Sequence, residues 1–341
     1  LIKYSTNRAN PSALRAEALA SLSTWAEPSV LDRVDGRNRG LKPRNASYAM
    51  DQLDQKVEQL ANEGDPDIKV ATVQVISKLG MNDKTDLLLD KFENEADANV
   101  KTEALRALAE VQYEGLDEVL ENALSTSDEN LRAEALSLIP ESSLEEEAAV
   151  NLFTKILEDG SIVEKQSTYA ALTKYNGEVV KQLISEKMEL LRSGEIEKEV
   201  QLDLLEAAGD SIAEDYHASK DGDALSAYEE TLFGGNVQRG RGIFYWNSEA
   251  QCVRCHSIFE WGGDAGPVLA GIASKRTPKE LLESIIEPNA QYSPGYGVVI
   301  LALKDGTSTG GIVMEETETE LKLKIGKDGI QAIAKSTIDS R

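Results

Sequence analysis

The chain has 341 residues, of which 41% are hydrophobic and 28% charged, with a formal net charge of −24 at pH 7. That balance is ordinary for a globular protein and unlike a disordered one. The acidic excess argues against nucleic acid or an anionic membrane surface as a partner, since both need a cationic face. No apolar run is long enough to span a bilayer, and the length predicts two domains.

The first residues, LIKYSTNRAN, do not read as a signal peptide. A start at Leu1 without Met is expected of a processed product or a fragment. The stretch RVDGRNRGLKPR, Arg33 to Arg44, carries five cations against Asp35 alone. It fits a contact with a neighbouring domain and a solvated basic loop equally well.

From residue 11 to about 215 one pattern recurs: LRAEALASL at Leu14, IKVATVQVISKLG at Ile68, VKTEALRALAEV at Val100, LRAEALSLI at Leu131, VEKQSTYAALTKY at Val163 and VQLDLLEAAG at Val200. The starts from Ile68 to Val163 are 32, 31 and 32 residues apart, and the next step is 37. Within a block the apolar residues keep helical spacing, as Val100, Ala104, Leu105, Leu108 and Val111 do, and polar clusters such as STSDEN separate the blocks. A fixed period with one helix pair per unit predicts an α-solenoid. Such an array offers either a protein-binding surface or a spacer. His217, in EDYHASKDGD, reads as an exposed linker residue, with metal or haem contact the weaker alternative. Around Asp221-Gly222-Asp223 the repeats stop and glycine becomes frequent, which sets the expected domain boundary.

Both cysteines lie in one stretch, QCVRCHSIFEWGGDAGPVL, Gln251 to Leu269. Cys252-Val253-Arg254-Cys255-His256 is the C-x-x-C-H pattern of covalent c-type haem attachment. One turn between the thiols brings both sulfurs to one edge of a porphyrin, and the next residue supplies an axial nitrogen to the iron. A thioredoxin-type C-x-x-C belongs after a strand, whereas this one follows the helical GRGIFYWNSEA. A structural zinc site needs four ligands, and a disulfide over so short a gap is strained. TPKELLESIIEPN carries a T-x-x-E capping box, Thr277 to Glu280, with Pro278 in the first turn. Leu281, Leu282, Ile285 and Ile286 form its expected buried stripe. VVILALKDGTSTGGIVM and ELKLKIGKDGIQAIA predict strands joined at Asp305-Gly306 and Asp328-Gly329 turns.

The flanks of the motif resemble class I cytochromes c. RGRGIFYW looks like the helix before the motif, and GDAGPVLAGI is similar to the family's G-P-x-L-x-G segment. The resemblance implies that Phe244 packs on the haem side. It also implies that the Pro267 carbonyl accepts the Nδ1 hydrogen of His256 and that Leu269 lies against the haem. The motif, ELLESIIEPNAQYSPGY and the K-D-G meander together resemble the haem-binding domain of planctomycete and verrucomicrobial type. In that group a dehydrogenase β-propeller, HEAT-like repeats and a cytochrome domain follow one another, and ALASLSTWAEPSVLDRVDGR is similar to the helical linker region.

The resulting expectation is a mainly α protein. A HEAT-like α-solenoid covers residues 1–222, and a class I-like cytochrome c domain covers 223–341, with a β-meander insertion at about 296–335. The cofactor is haem c, with Cys252 and Cys255 as thioether anchors and His256 as proximal iron ligand. The function is electron transfer from a periplasmic sugar or alcohol dehydrogenase domain or another redox partner, not catalysis by this chain. Covalent attachment implies a periplasmic or cell-surface location. Family resemblance puts the distal methionine after the meander, beyond Ser340-Arg341. Met314 is the alternative distal ligand, with strand packing its plainer role. An open sixth position would make a haem enzyme or gas sensor, and no haem at all would leave a scaffold. Trp261, Tyr292, Tyr296, Arg254, Lys275 and Arg276 are candidates to touch the haem edge or its propionates, against ordinary packing or solvation.

Overall fold

The computed structural model describes every residue except 33–38, 221, 260, 289, 292, 294 and 326–328, and only the backbone of residue 238. Most of the basic stretch at 33–44, Asp221, Tyr292 and Asp328 of the second expected turn therefore lie outside the described residues. The rest is mainly helical, with a five-stranded antiparallel sheet and a short two-stranded hairpin. It forms two compact units: Leu1–Ser29 with Gly40–Ser219, and Val30–Arg39 with Lys220–Arg341. The expected boundary at 222/223 falls inside the second unit, where Lys220 pairs with the buried Glu230.

The first unit contains α1 (Ile2–Ser5), α2 (Ser12–Ser23), α3 (Ala46–Ala61), α4 (Pro66–Lys78), α5 (Thr85–Asn94), α6 (Ala98–Glu110) and α7 (Leu116–Leu124). It continues with α8 (Glu129–Leu138), α9 (Glu146–Asp159), α10 (Ile162–Leu172), α11 (Glu178–Ser193), α12 (Gln201–Ala208) and α13 (Asp210–Ala218). The recurrent blocks form α2, α4, α6, α8, α10 and α12, and each packs on the next. Each intervening helix from α3 to α11 packs on the block helix that follows it.

The polar clusters between blocks start these helices. Asp65, Asp97 and Asp128 each accept hydrogen bonds from two backbone N–H groups of the first turn. Ser161 and Glu164 form a reciprocal capping box. Beyond each cap the apolar stripe enters one continuous core that includes Leu53, Ile76, Leu105, Phe153 and Leu204. Each fully buried leucine there contributes about 2 kcal/mol. His217 departs from its expected linker position: it lies in α13, half-buried, packed edge-on against Tyr216. The helix continues because nothing in Asp210–Ala218 breaks it.

The second unit holds α14 (Val237–Trp246), the hairpin β1 (Ser257–Ile258) and β2 (Trp261–Gly262), then α15 (Pro278–Ile286). Thr277 caps α15: its hydroxyl accepts from Glu280 N at 3.3 Å, and Glu280 accepts from Thr277 N at 2.7 Å. The expected buried stripe is a correction. Leu282 alone is buried, Leu281 and Ile286 are half-buried, and Ile285 is 76% exposed. The main neighbour of α15 is the short turn Ser226–Leu232, too small to cover a full apolar face.

Next come β3 (Gly297–Leu303), β4 (Ser308–Glu316), β5 (Glu320–Ile325), β6 (Gly329–Ala334) and β7 (Ile338–Ser340), ordered β6-β5-β4-β3-β7. Asp305 and Gly306 turn β3 into β4, with Gly306 at φ +83, a conformation glycine adopts without steric cost. Val299, Leu301, Val313, Leu321, Leu323 and Ile333 form the sheet's own core.

Candidate functional site

The C-x-x-C-H loop is held from both ends. Asn236 starts α14 by accepting from Arg239 N at 2.9 Å. After the helix, the Asn247 side chain accepts from Glu249 N at 2.9 Å and Ala250 N at 2.8 Å, turning the chain back. Gln251, at φ +47, leads into a single 3-10 turn over Cys252–Arg254. His256 N donates to Cys252 O at 3.0 Å and closes that turn, and α14 packs against it. Val253 is buried, Cys252 half-buried and Cys255 exposed, and both cysteines are free thiols.

A second segment runs alongside. Gly263 N donates to Val253 O at 2.8 Å, Gly266 N to Cys255 O at 2.6 Å, and Leu269 N to Ser257 O at 2.8 Å. This pairing brings Pro267 to the histidine: His256 Nδ1 lies 2.8 Å from Pro267 O. A carbonyl can only accept, so Nδ1 carries the proton and Nε2 keeps its lone pair. No described residue hydrogen-bonds Nε2. Gly266 lies flat against the ring, and a Cβ there would sit 2.7 Å from Cε1 and 2.9 Å from Nδ1. A Cβ on Gly263 would collide with the Arg254 carbonyl. Both glycines are therefore requirements of the close approach.

The other expected residues fall as follows. Phe244 is half-buried on α14, edge-on to Tyr245 at 4.9 Å. Leu269 is half-buried where its N–H joins Ser257. Met314 stands at a register shift between β4 and β5. The groove it lines, with Val298, Val299, Val313 and Arg341, includes no residue of the Cys252–His256 loop. Arg254 donates to the Gln251 side chain, and Arg276 to Gln291 at 2.7 Å. Lys275, Trp261 and Tyr296 are exposed. Asn247, Gly263 and Phe259 were not singled out by sequence. Only Asn247 had a usable signal there, as an Asx-type turn former between a helix and a polar run.

The thiols and the ring do not converge on one point. Among the described residues no group of three or more His, Cys, Asp or Glu side chains is placed to hold a metal ion. No described helix is long and apolar enough to cross a membrane. The second unit leaves Phe233, Val237, Ile243, Phe259, Val268 and Ile285 exposed around this region. No family model and no curated protein matches the chain.

Proposed function

We propose that the second unit binds haem c covalently through Cys252 and Cys255, with His256 as axial ligand, and that the protein works in single-electron transfer. The observation that carries this reading is the His256–Pro267 hydrogen bond of 2.8 Å. It fixes the tautomer that leaves Nε2 basic and aimed away from the loop's own backbone, as a metal-ligating histidine needs. Two further features fit the group. The thiols are free and separated by one turn, and the surrounding apolar side chains exceed what the unit buries by itself. When bound, the haem supplies the Fe(III)/Fe(II) couple. The chain's own residues anchor it, hold the imidazole and set its surroundings.

On this reading Leu269 and Phe244 are haem-side apolar contacts, and the helical unit is a HEAT-like α-solenoid acting as scaffold. The continuous stacking of block helices supports the solenoid assignment. The electron donor is a redox protein or a fused dehydrogenase domain, and the location is extracytoplasmic because thioether attachment is made there. The distal position is taken by a methionine after the sheet or left open.

A haem stain of the denatured protein, made with a haem-attachment system, tests the proposal. A stained band that is lost in Cys252→Ala/Cys255→Ala is the expected result. An unstained wild-type band would sink it and leave a repeat scaffold with a thiol pair.

A further inference from the structure

β1 and β2 pair as Ile258↔Trp261, which places Phe259 at the tip of the hairpin. Its φ is +59, a left-handed conformation that residues other than glycine and asparagine rarely adopt. Its side chain is 78% exposed, so the ring recovers little of the free energy that burial would give. Neither cost is offset inside the chain. A strained, exposed aromatic residue that its own fold does not use points to a contact made outside the fold.

The surroundings say what kind of contact. The backbone pairing of Cys255 with Gly266 and of Ser257 with Leu269 sets the exposed Cys255 and the exposed Val268 beside the base of this hairpin. The nearby exposed charges, Arg254 and Asp264, are opposite in sign, so no single-sign field marks this spot despite the chain's overall acidity. Recognition here is apolar. We propose that Phe259 is the anchor through which a redox protein with an apolar rim around its own cofactor docks beside His256. This inference rests on the haem reading given above. It assigns the side from which electrons arrive or leave.

The test uses the full haem-loaded chain and two variants. Phe259→Asn removes the ring and suits the left-handed backbone, whereas Phe259→Trp keeps a large apolar ring. Haem stain, thermal unfolding, reduction by ascorbate and reduction by a pre-reduced soluble monohaem c-type cytochrome are compared. For Phe259→Asn we expect unchanged stain and ascorbate rate, and a Tm higher by about 3 °C. Reduction by the cytochrome should slow about ten-fold. Phe259→Trp should restore that rate to within about two-fold. An unchanged cytochrome rate overturns the docking role. So does a lower Tm or a shifted haem spectrum in Phe259→Asn, since the ring would then pack within the chain. A concentration-dependent dimer lost in Phe259→Asn would make the partner a second copy and equally overturn it. Absence of stain in the wild type would remove the haem reading and this inference together, and is told apart by that control.

Discussion

Arg132 on α8 reaches Glu164 on α10, with Nε and Oε1 2.7 Å apart, and the carboxylate is almost fully buried. The pair is one rung of a series. Lys69 pairs with Glu95 at 2.8 Å, Arg106 with Glu134 at 2.7 Å, and Lys165 with Glu197 at 2.5 Å. In each case a cation on one block helix meets an anion that belongs to the following block. The 32-residue period therefore repeats a polar joint as well as an apolar one. The joint is directional, since the cation always comes first in sequence.

Because Glu164 is shielded and Arg132 partly so, this pair should exceed the usual worth of a surface ion pair. Arg132→Ala and Glu164→Gln are each expected to cost about 1–2 kcal/mol. Together they should show a coupling energy near about 1 kcal/mol in a double-mutant cycle by urea unfolding. Additive losses would mean that the two residues contribute separately and that the rung is incidental.

The Arg15–Glu63 pair is buried on both sides, with a contact of 2.9 Å, and Arg15 also donates to Ser5 O at 2.6 Å. The hydrogen bond from Arg15 holds the Glu63 carboxyl below its ordinary value, outweighing burial, which acts the other way. A depressed folded-state value means that the stabilisation is complete above the ordinary glutamate value of about 4.3. It is lost as pH falls through the lowered value. Glu63→Gln should cost about 3 kcal/mol at pH 7, since it strands a buried guanidinium. The gap between variant and wild type should narrow in urea unfolding repeated at progressively lower pH. A gap independent of pH would assign the loss to packing.

Gly266→Ala places a methyl group against the imidazole of His256 and must displace either the ring or Pro267. Covalent haem per chain is expected to fall about ten-fold, as for loss of a residue that orients a metal ligand. Thermal stability of the first unit should stay unchanged. Full haem yield in this variant would show that the ring does not need its observed seat.

Thr277→Ala removes the cap of α15 and should cost about 1 kcal/mol. Faster hydrogen exchange at the first-turn amides of α15 is the direct readout, because Glu280 N loses its acceptor. Unchanged exchange there would mean that solvent or another group satisfies the amide.

The sequence by itself determined the block helices, their caps and the hairpin turn at Asp305-Gly306. These follow from local rules: helical spacing of apolar residues, an Asp or Ser before a helix, and glycine where φ is positive. It also isolated Cys252, Cys255 and His256, because three rare residues at fixed spacing need no fold to be seen. What α15 buries depended instead on the neighbour it met, so Ile285 looked like core and is exposed. His217 was read as a linker residue because only the tertiary structure carries the helix through it. The side-by-side run of 253–257 and 263–269 is a backbone pairing that no single residue announces, and it alone explains why Gly263 and Gly266 cannot bear a side chain. Phe259 escaped sequence reading for the same reason: strain and exposure are properties of a conformation, and the conformation exists only once the hairpin has closed.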